Sequence, residues 1–117
     1  MATIYKIFRA AEWEELDQKS RTLGAPIDQS DGYIHFSTAA QVRETAAKHF
    51  AGEADLHLLA VDPDALGAEL RWEPSRGGAL FPHLYRELRM DDVVWERPLP
   101  RDGERHRFPA ELTDGGP

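Results

Sequence analysis

The sequence predicts an α+β domain of five or six short strands and two helices, with both helices in the N-terminal half. Three observations carry this prediction. Strand-like alternation recurs along most of the chain, whereas helical periodicity is confined to its first half. Strands and helices do not alternate in the second half, as a parallel sheet with helical crossovers would require. Neither a G-x-G-x-x-G fingerprint nor a P-loop occurs, which removes the dinucleotide and nucleotide folds built on those loops.

The elements follow in order. Thr3–Phe8 alternates as a strand, with Ile4 and Lys6 on one face and Tyr5 and Ile7 on the other. Ala10–Ser20 reads as a short helix with Trp13 and Leu16 at i, i+3 spacing, although Arg9 and Ala10 are poor N-caps. Gly24-Ala25-Pro26 opens a loop that runs to the Asp31-Gly32 turn. Tyr33–Ser37 is the next strand. Thr38–Phe50 is the clearest helix: Thr38 and Gln41 have capping-box spacing, and Ala39, Val42, Ala46 and Phe50 form an apolar stripe.

Leu56–Val61 is nearly all apolar, which suits a central strand covered on both faces, and Asp62-Pro63-Asp64 closes it. Glu69–Glu73 alternates with Leu70 and Trp72 inward and Glu69, Arg71 and Glu73 on the opposite face. Ser75 to Gly78 is a flexible connection. Phe81–Leu88 begins extended because Pro82 disfavours helix before it, and Val93–Leu99 is the last strand. Residues 1–100 therefore read as one domain, and 101–117, polar and rich in Gly and Pro, as a loosely held tail.

Bulk composition narrows the function classes. A chain of 117 residues, 41% hydrophobic, has room for one core, and no apolar run approaches the roughly 20 residues of a spanning helix. The N-terminal residues enter a strand pattern at once, without a signal peptide's apolar region, so a cytoplasmic location is expected. The absence of cysteine excludes disulfides and thiolate metal sites. A net charge of −7 and a pI near 5.1 argue against a general nucleic-acid binder. Arg71, Arg76, Arg86 and Arg89, and further on Arg101, Arg105 and Arg107, read as solvated surface mixed with acids.

Two constellations point to a polar pocket for a small-molecule ligand. In Gly32–Thr38, strand alternation puts Tyr33, His35 and Ser37 on one face, just before a helix N-terminus whose free N–H groups favour an anionic or polyhydroxyl ligand. In Phe81–Tyr85, Pro82 holds the chain extended, so His83 and Tyr85 share a face while Leu84 enters the core. One structural histidine is common; two in matching contexts favour a pocket, provided they lie within about 12 Å of each other. On the polar face of their strand, Arg71 can give bidentate hydrogen bonds, and Glu73, next to Pro74 and the Gly-Gly loop, can act as a base or ribose acceptor. The histidine spacing matches no helical zinc motif, and no metal is expected. Ser37 lacks a nucleophile elbow. His49, His57 and His106 read as structural or solvated.

These motifs resemble the bacterial domain-of-unknown-function family 952 over residues 3–99. The matching pieces are Ile4–Ile7, Trp13, Gly32–Thr38 with Gln41, Leu70–Glu73 and Phe81–Tyr85. The fold of that family is similar to ADP-ribosyltransferases, especially the branch containing the NAD-dependent RNA 2′-phosphotransferase. The resemblance implies two small packed antiparallel sheets around a cleft for NAD. It matches His35 to the second-motif histidine of the branch and puts Lys6 where the first-motif histidine usually stands. That departure removes a usual contact to the NAD ribose, and a lysine there can meet a phosphate instead. Chemistry in such a cleft needs an aromatic shelf, from Tyr33 or Tyr85; ribose contacts, from His35 and Ser37; and a carboxylate, for which Glu73 is the candidate read from this sequence. The competing expectations are a non-catalytic module for a nucleotide or small anionic metabolite, and a protein-interaction domain anchored by Trp72 or Trp95.

Overall fold

The computed structural model describes residues 2–75 and 77–112. Its main sheet is built on β1 (Ile4–Phe8), which lies between β5 (Leu56–Val61) and the short edge strand β4 (Ser37–Thr38); β9 (Val93–Leu99) completes the order β4-β1-β5-β9, all antiparallel. One face carries Ile4, Phe8, Leu59 and Val61 into one buried cluster; the other carries Tyr5, Ile7, Leu58 and Ala60 into a second. Burial on both faces explains the nearly continuous apolar run of β5, here in an antiparallel setting. A second sheet has the order β3-β7-β6, from β3 (Ile34–His35), β7 (Ala79–Leu84) and β6 (Leu70–Ser75). Two ribbons accompany them: β2 (Arg21–Thr22) with β8 (Leu88–Arg89), and β10 (Arg101–Asp102) with β11 (Arg105–His106).

The strand expected over Tyr33–Ser37 is thus divided between two sheets. Ile34 and His35 pair with Leu84 and His83, whereas Ser37 and Thr38 pair with Tyr5 and Ile4. Between them the Phe36 N–H donates to the Pro82 carbonyl at 2.9 Å, and the Phe36 ring is buried in the first core cluster. Alternation alone does not reveal such a crossing, because it depends on which distant strands offer partners.

Four α-helices are present among the described residues. In α1 (Ala10–Lys19) the Glu12 carboxylate accepts the Arg9 N–H at 2.8 Å, supplying the cap that Arg9 and Ala10 lack. In α3 (Ala39–His49) Thr38 and Gln41 form the expected reciprocal capping box, and Ala39, Val42 and Ala46 face the core. The segment expected as a loop contains α2 (Pro26–Asp31). Pro26 opens it without losing a needed N–H, Asp28 accepts the Ala25 N–H at 2.8 Å, and Gly32 at φ 86° ends it. After β5, α4 (Pro63–Leu66) is a single turn beyond the N-terminal half.

Three further expectations are corrected. Trp72 shares a face with Leu70, but it lies opposite Pro82 toward the hairpin end, beyond the core that holds Leu84, and stays 36% exposed. The extended run from Phe81 stops at Leu84, and Leu88 begins the separate ribbon with β2. Residues 101–112, expected as a loose tail, fold back through the β10–β11 hairpin: Gly52 N–H bonds the Glu104 carbonyl, Phe108 packs on the second cluster, and Leu112 is buried. Residues 113–117 and Arg76 lie outside the described residues.

Candidate functional site

Register brings the candidate residues together. Cα partners in a sheet share a face, so His35 opposite His83, and His83 opposite Arg71, form a row across β3, β7 and β6. Glu73 and Tyr85 extend the same face. The His35 and His83 rings are 5.4 Å apart, inside the distance a single pocket requires. The Tyr33 ring lies against three others: stacked on His83 at 4.2 Å, and tilted to His35 at 4.7 Å and Tyr85 at 5.1 Å. Glu73 Oε1 is within 2.8 Å of His83 Nδ1 and accepts the Tyr85 hydroxyl at 2.7 Å. The Arg71 guanidinium sits over the Tyr85 ring at 4.8 Å.

The other half of the site comes from β1 and α2. Asp28 is fully buried; its Oδ2 meets Lys6 Nζ at 2.8 Å, and its Oδ1 meets both the His35 N–H at 3.1 Å and His35 Nδ1 at 2.5 Å. Burial alone would raise the Asp28 pKa, but the His35 hydrogen bond and the Lys6 ammonium outweigh it and lower the value to about 2. His35 Nε2 faces Asp31 Oδ2 at 2.9 Å. Both ring nitrogens of His35 therefore meet carboxylates, which only accept hydrogen bonds. On the opposite side, the Tyr85 hydroxyl and then His83 hold Glu73 below the usual carboxylate range. The Glu73 hydrogen bond in turn raises the Tyr85 phenol.

A cavity of about 560 Å³ opens between β1, α2, α3 and the second sheet, within the size range of small-molecule pockets. Lys6, His35, Ser37 and His83 line it, whereas Tyr33, Glu73, Arg71 and Tyr85 lie behind or beside His83. Ser37 is buried and hydrogen-bonded to Thr45 at 3.0 Å. Among the described residues no group of three or more His, Asp or Glu is arranged to hold a metal ion.

Sequence reasoning missed Asp28, Thr45, Arg9 and His49, all on the cavity wall. Asp28 was legible as the third residue of a helix opened by Pro26, where a carboxylate reaches back to a free N–H. His49 was legible as i+7 from Val42, on the stripe that α3 turns toward β1.

Comparison with known proteins bears on the same residues. A family model described as "Protein of unknown function (DUF952)" matches residues 7–96. The chain belongs to this family. The matched span includes His35, Glu73, His83 and Tyr85 and begins one residue after Lys6. Among solved structures, the X-ray structure of protein CC0527 from Caulobacter crescentus is similar at 47% identity with a TM-score of 0.86, covering 90% of this chain and 93% of that one. The solution NMR structure of CC0527 is similar at 48% identity and TM-score 0.80, covering 91% of each chain. No curated protein matches the chain.

Proposed function

We propose that the cavity binds NAD or a related ribonucleotide and that this DUF952 domain is an ADP-ribosyltransferase-like transferase. The observation that carries the reading is the convergence of His35, His83, Tyr33, Tyr85 and Glu73 beside one cavity, from the β3 segment and the β6–β7 hairpin, which lie far apart in sequence. In the proposed complex the His35 Nε2–H is shared between Asp31 and a ribose hydroxyl, Ser37 contacts a second hydroxyl, and Tyr33 and Tyr85 present aromatic surface to a ring. Asp28, Asp31 and Glu73 surround the histidines with negative charge, which favours the positive charge that develops at the anomeric carbon as nicotinamide leaves.

The phosphates set the stricter demand. The wall cations Lys6 and Arg9 are ion-paired with Asp28 and Glu53, so a diphosphate has to compete with those carboxylates. Arg71, exposed over the Tyr85 ring, is the more accessible cation. A second reading is a non-catalytic module for a nucleotide or small anionic metabolite, with the fold kept and the chemistry lost. One observation favours it: Glu73 does not line the cavity, so its carboxylate does not itself face a bound anomeric carbon.

Calorimetry with NAD separates the two, using His35→Ala as the control. Heat that vanishes in the variant, together with release of nicotinamide by the wild type, supports the transferase. Binding without release supports the module. Absence of heat with a folded protein rejects NAD and turns the search to other phosphorylated metabolites.

A further inference from the structure

We infer that His83 is the general base of this site, oriented by Glu73 as a positioning residue, and that the acceptor it activates is a hydroxyl group. The inference rests on the transferase reading and adds the class of the second substrate.

The two histidines are held in opposite chemical states of readiness. His35 has a carboxylate on each ring nitrogen, so it offers no lone pair to a substrate. His83 has a carboxylate on Nδ1 alone, and because Glu73 accepts, the proton sits on Nδ1 and the lone pair on Nε2. No described residue hydrogen-bonds Nε2. His83 lines the cavity and Glu73 does not, so Nε2 is the nitrogen turned toward bound substrate. The ring is only 3% exposed and stacked on Tyr33 at 4.2 Å, which fixes its plane. The Tyr85 hydroxyl on the same Glu73 oxygen fixes the carboxylate in turn. The result is a base oriented by a third group, the geometry that activates a weak nucleophile.

That geometry selects the acceptor. A hydroxyl is a poor nucleophile until its proton is removed, whereas a carboxylate acceptor needs no base and would be repelled by Asp28 and Asp31 beside His35. In the step, His83 Nε2 takes the proton from the acceptor O–H, and the oxygen forms its bond to the anomeric carbon. The glycosidic C–N bond breaks with its electron pair going to the nicotinamide nitrogen, which neutralises the ring. Glu73 stabilises the imidazolium that results.

The test uses the full chain with NAD in water and with added methanol, following nicotinamide, ADP-ribose and methyl ADP-ribose. Wild type releases nicotinamide and divides the product between water and methanol. His83→Asn lowers turnover by about 10²–10⁴-fold while NAD affinity by calorimetry stays within a few-fold. Nitrogen-15 NMR of the imidazoles shows His83 protonated at Nδ1 and bare at Nε2 in the wild type, and Glu73→Gln abolishes that preference. Turnover that survives His83→Asn, or an Nε2-protonated ring, overturns the base assignment. No nicotinamide from the wild type overturns the transfer reading itself, and the NMR signature then judges the His83–Glu73 pair separately.

Discussion

Two histidine–carboxylate pairs of similar construction stand in this molecule, and only one borders the cavity. His83 on β7 meets Glu73 of the adjacent strand at 2.8 Å, with Tyr33 stacked on its ring. His57 on β5 meets Glu96 of the adjacent β9 at 2.6 Å, with Trp13 stacked on its ring at 5.6 Å. Each pair joins neighbouring strands through Nδ1, and each is flanked by an aromatic from another segment. The differences lie in the surroundings. His83 is buried, lines the cavity and has His35 beside it; His57 is a quarter exposed and is not on the cavity wall. A cross-strand dyad is thus a common way to satisfy an imidazole in a sheet. A cavity and a second, differently held histidine are what set the His83 dyad apart.

The strongest way to break this comparison is to remove the charge that anchors the cavity side. Asp28→Asn removes the carboxylate charge 2.8 Å from the buried Lys6 ammonium and is expected to lower unfolding stability by about 3–5 kcal/mol in urea. Glu96→Gln, at the partly exposed pair, is expected to cost only about 1 kcal/mol. Equal losses would show that the two regions carry the same electrostatic load. Next in size is function: under the proposed transfer reaction, His57→Asn is expected to leave nicotinamide release within about twofold of wild type, against the much larger loss predicted for His83→Asn.

A smaller effect appears with acid. Asp28 has a folded pKa of about 2, below its unfolded value, so its contribution is complete above about pH 4 and disappears as pH falls through about 2. This linkage amounts to about 2 kcal/mol, and Asp28→Asn should abolish that part of the acid slope in denaturation curves taken across the range. The smallest change is local. Tyr85→Phe removes the main cause of the lowered Glu73 pKa, which should rise toward the ordinary range in a carbon-13 NMR titration. An unmoved Glu73 would mean that His83 alone holds the carboxylate.

Much of the scaffold and half of the site could be read from residues alone. β1, α3 and β5 announce themselves by period, capping spacing and continuous apolar character, and alternation put His35 and His83 on the polar faces of their strands. The rest depends on partners that sequence does not display. α2 is too short to show a period and is held by Pro26, Asp28 and Gly32. The buried role of Asp28 requires knowing that β1 passes beneath it with Lys6. The hairpin at 101–106 did carry a local signal in Asp102-Gly103, with Gly103 at φ 65°, but a run of charged residues masked it. Glu73 was read correctly as polar and strand-borne, yet its engagement by His83 and Tyr85 is a matter of cross-strand register.

The passage of the chain from β3 to β4 through Phe36 has a consequence for how this protein breathes. Both ladders are made by one five-residue stretch, pinned in the middle by the bond to Pro82 and by a buried ring. Neither sheet can peel away at that point without disturbing the other, so their protected amides belong to one cooperative unit and should exchange with solvent through a shared opening. The imidazole of His35 and the ammonium of Lys6, joined through Asp28 on the wall of the same cavity, are then tied to a common fluctuation.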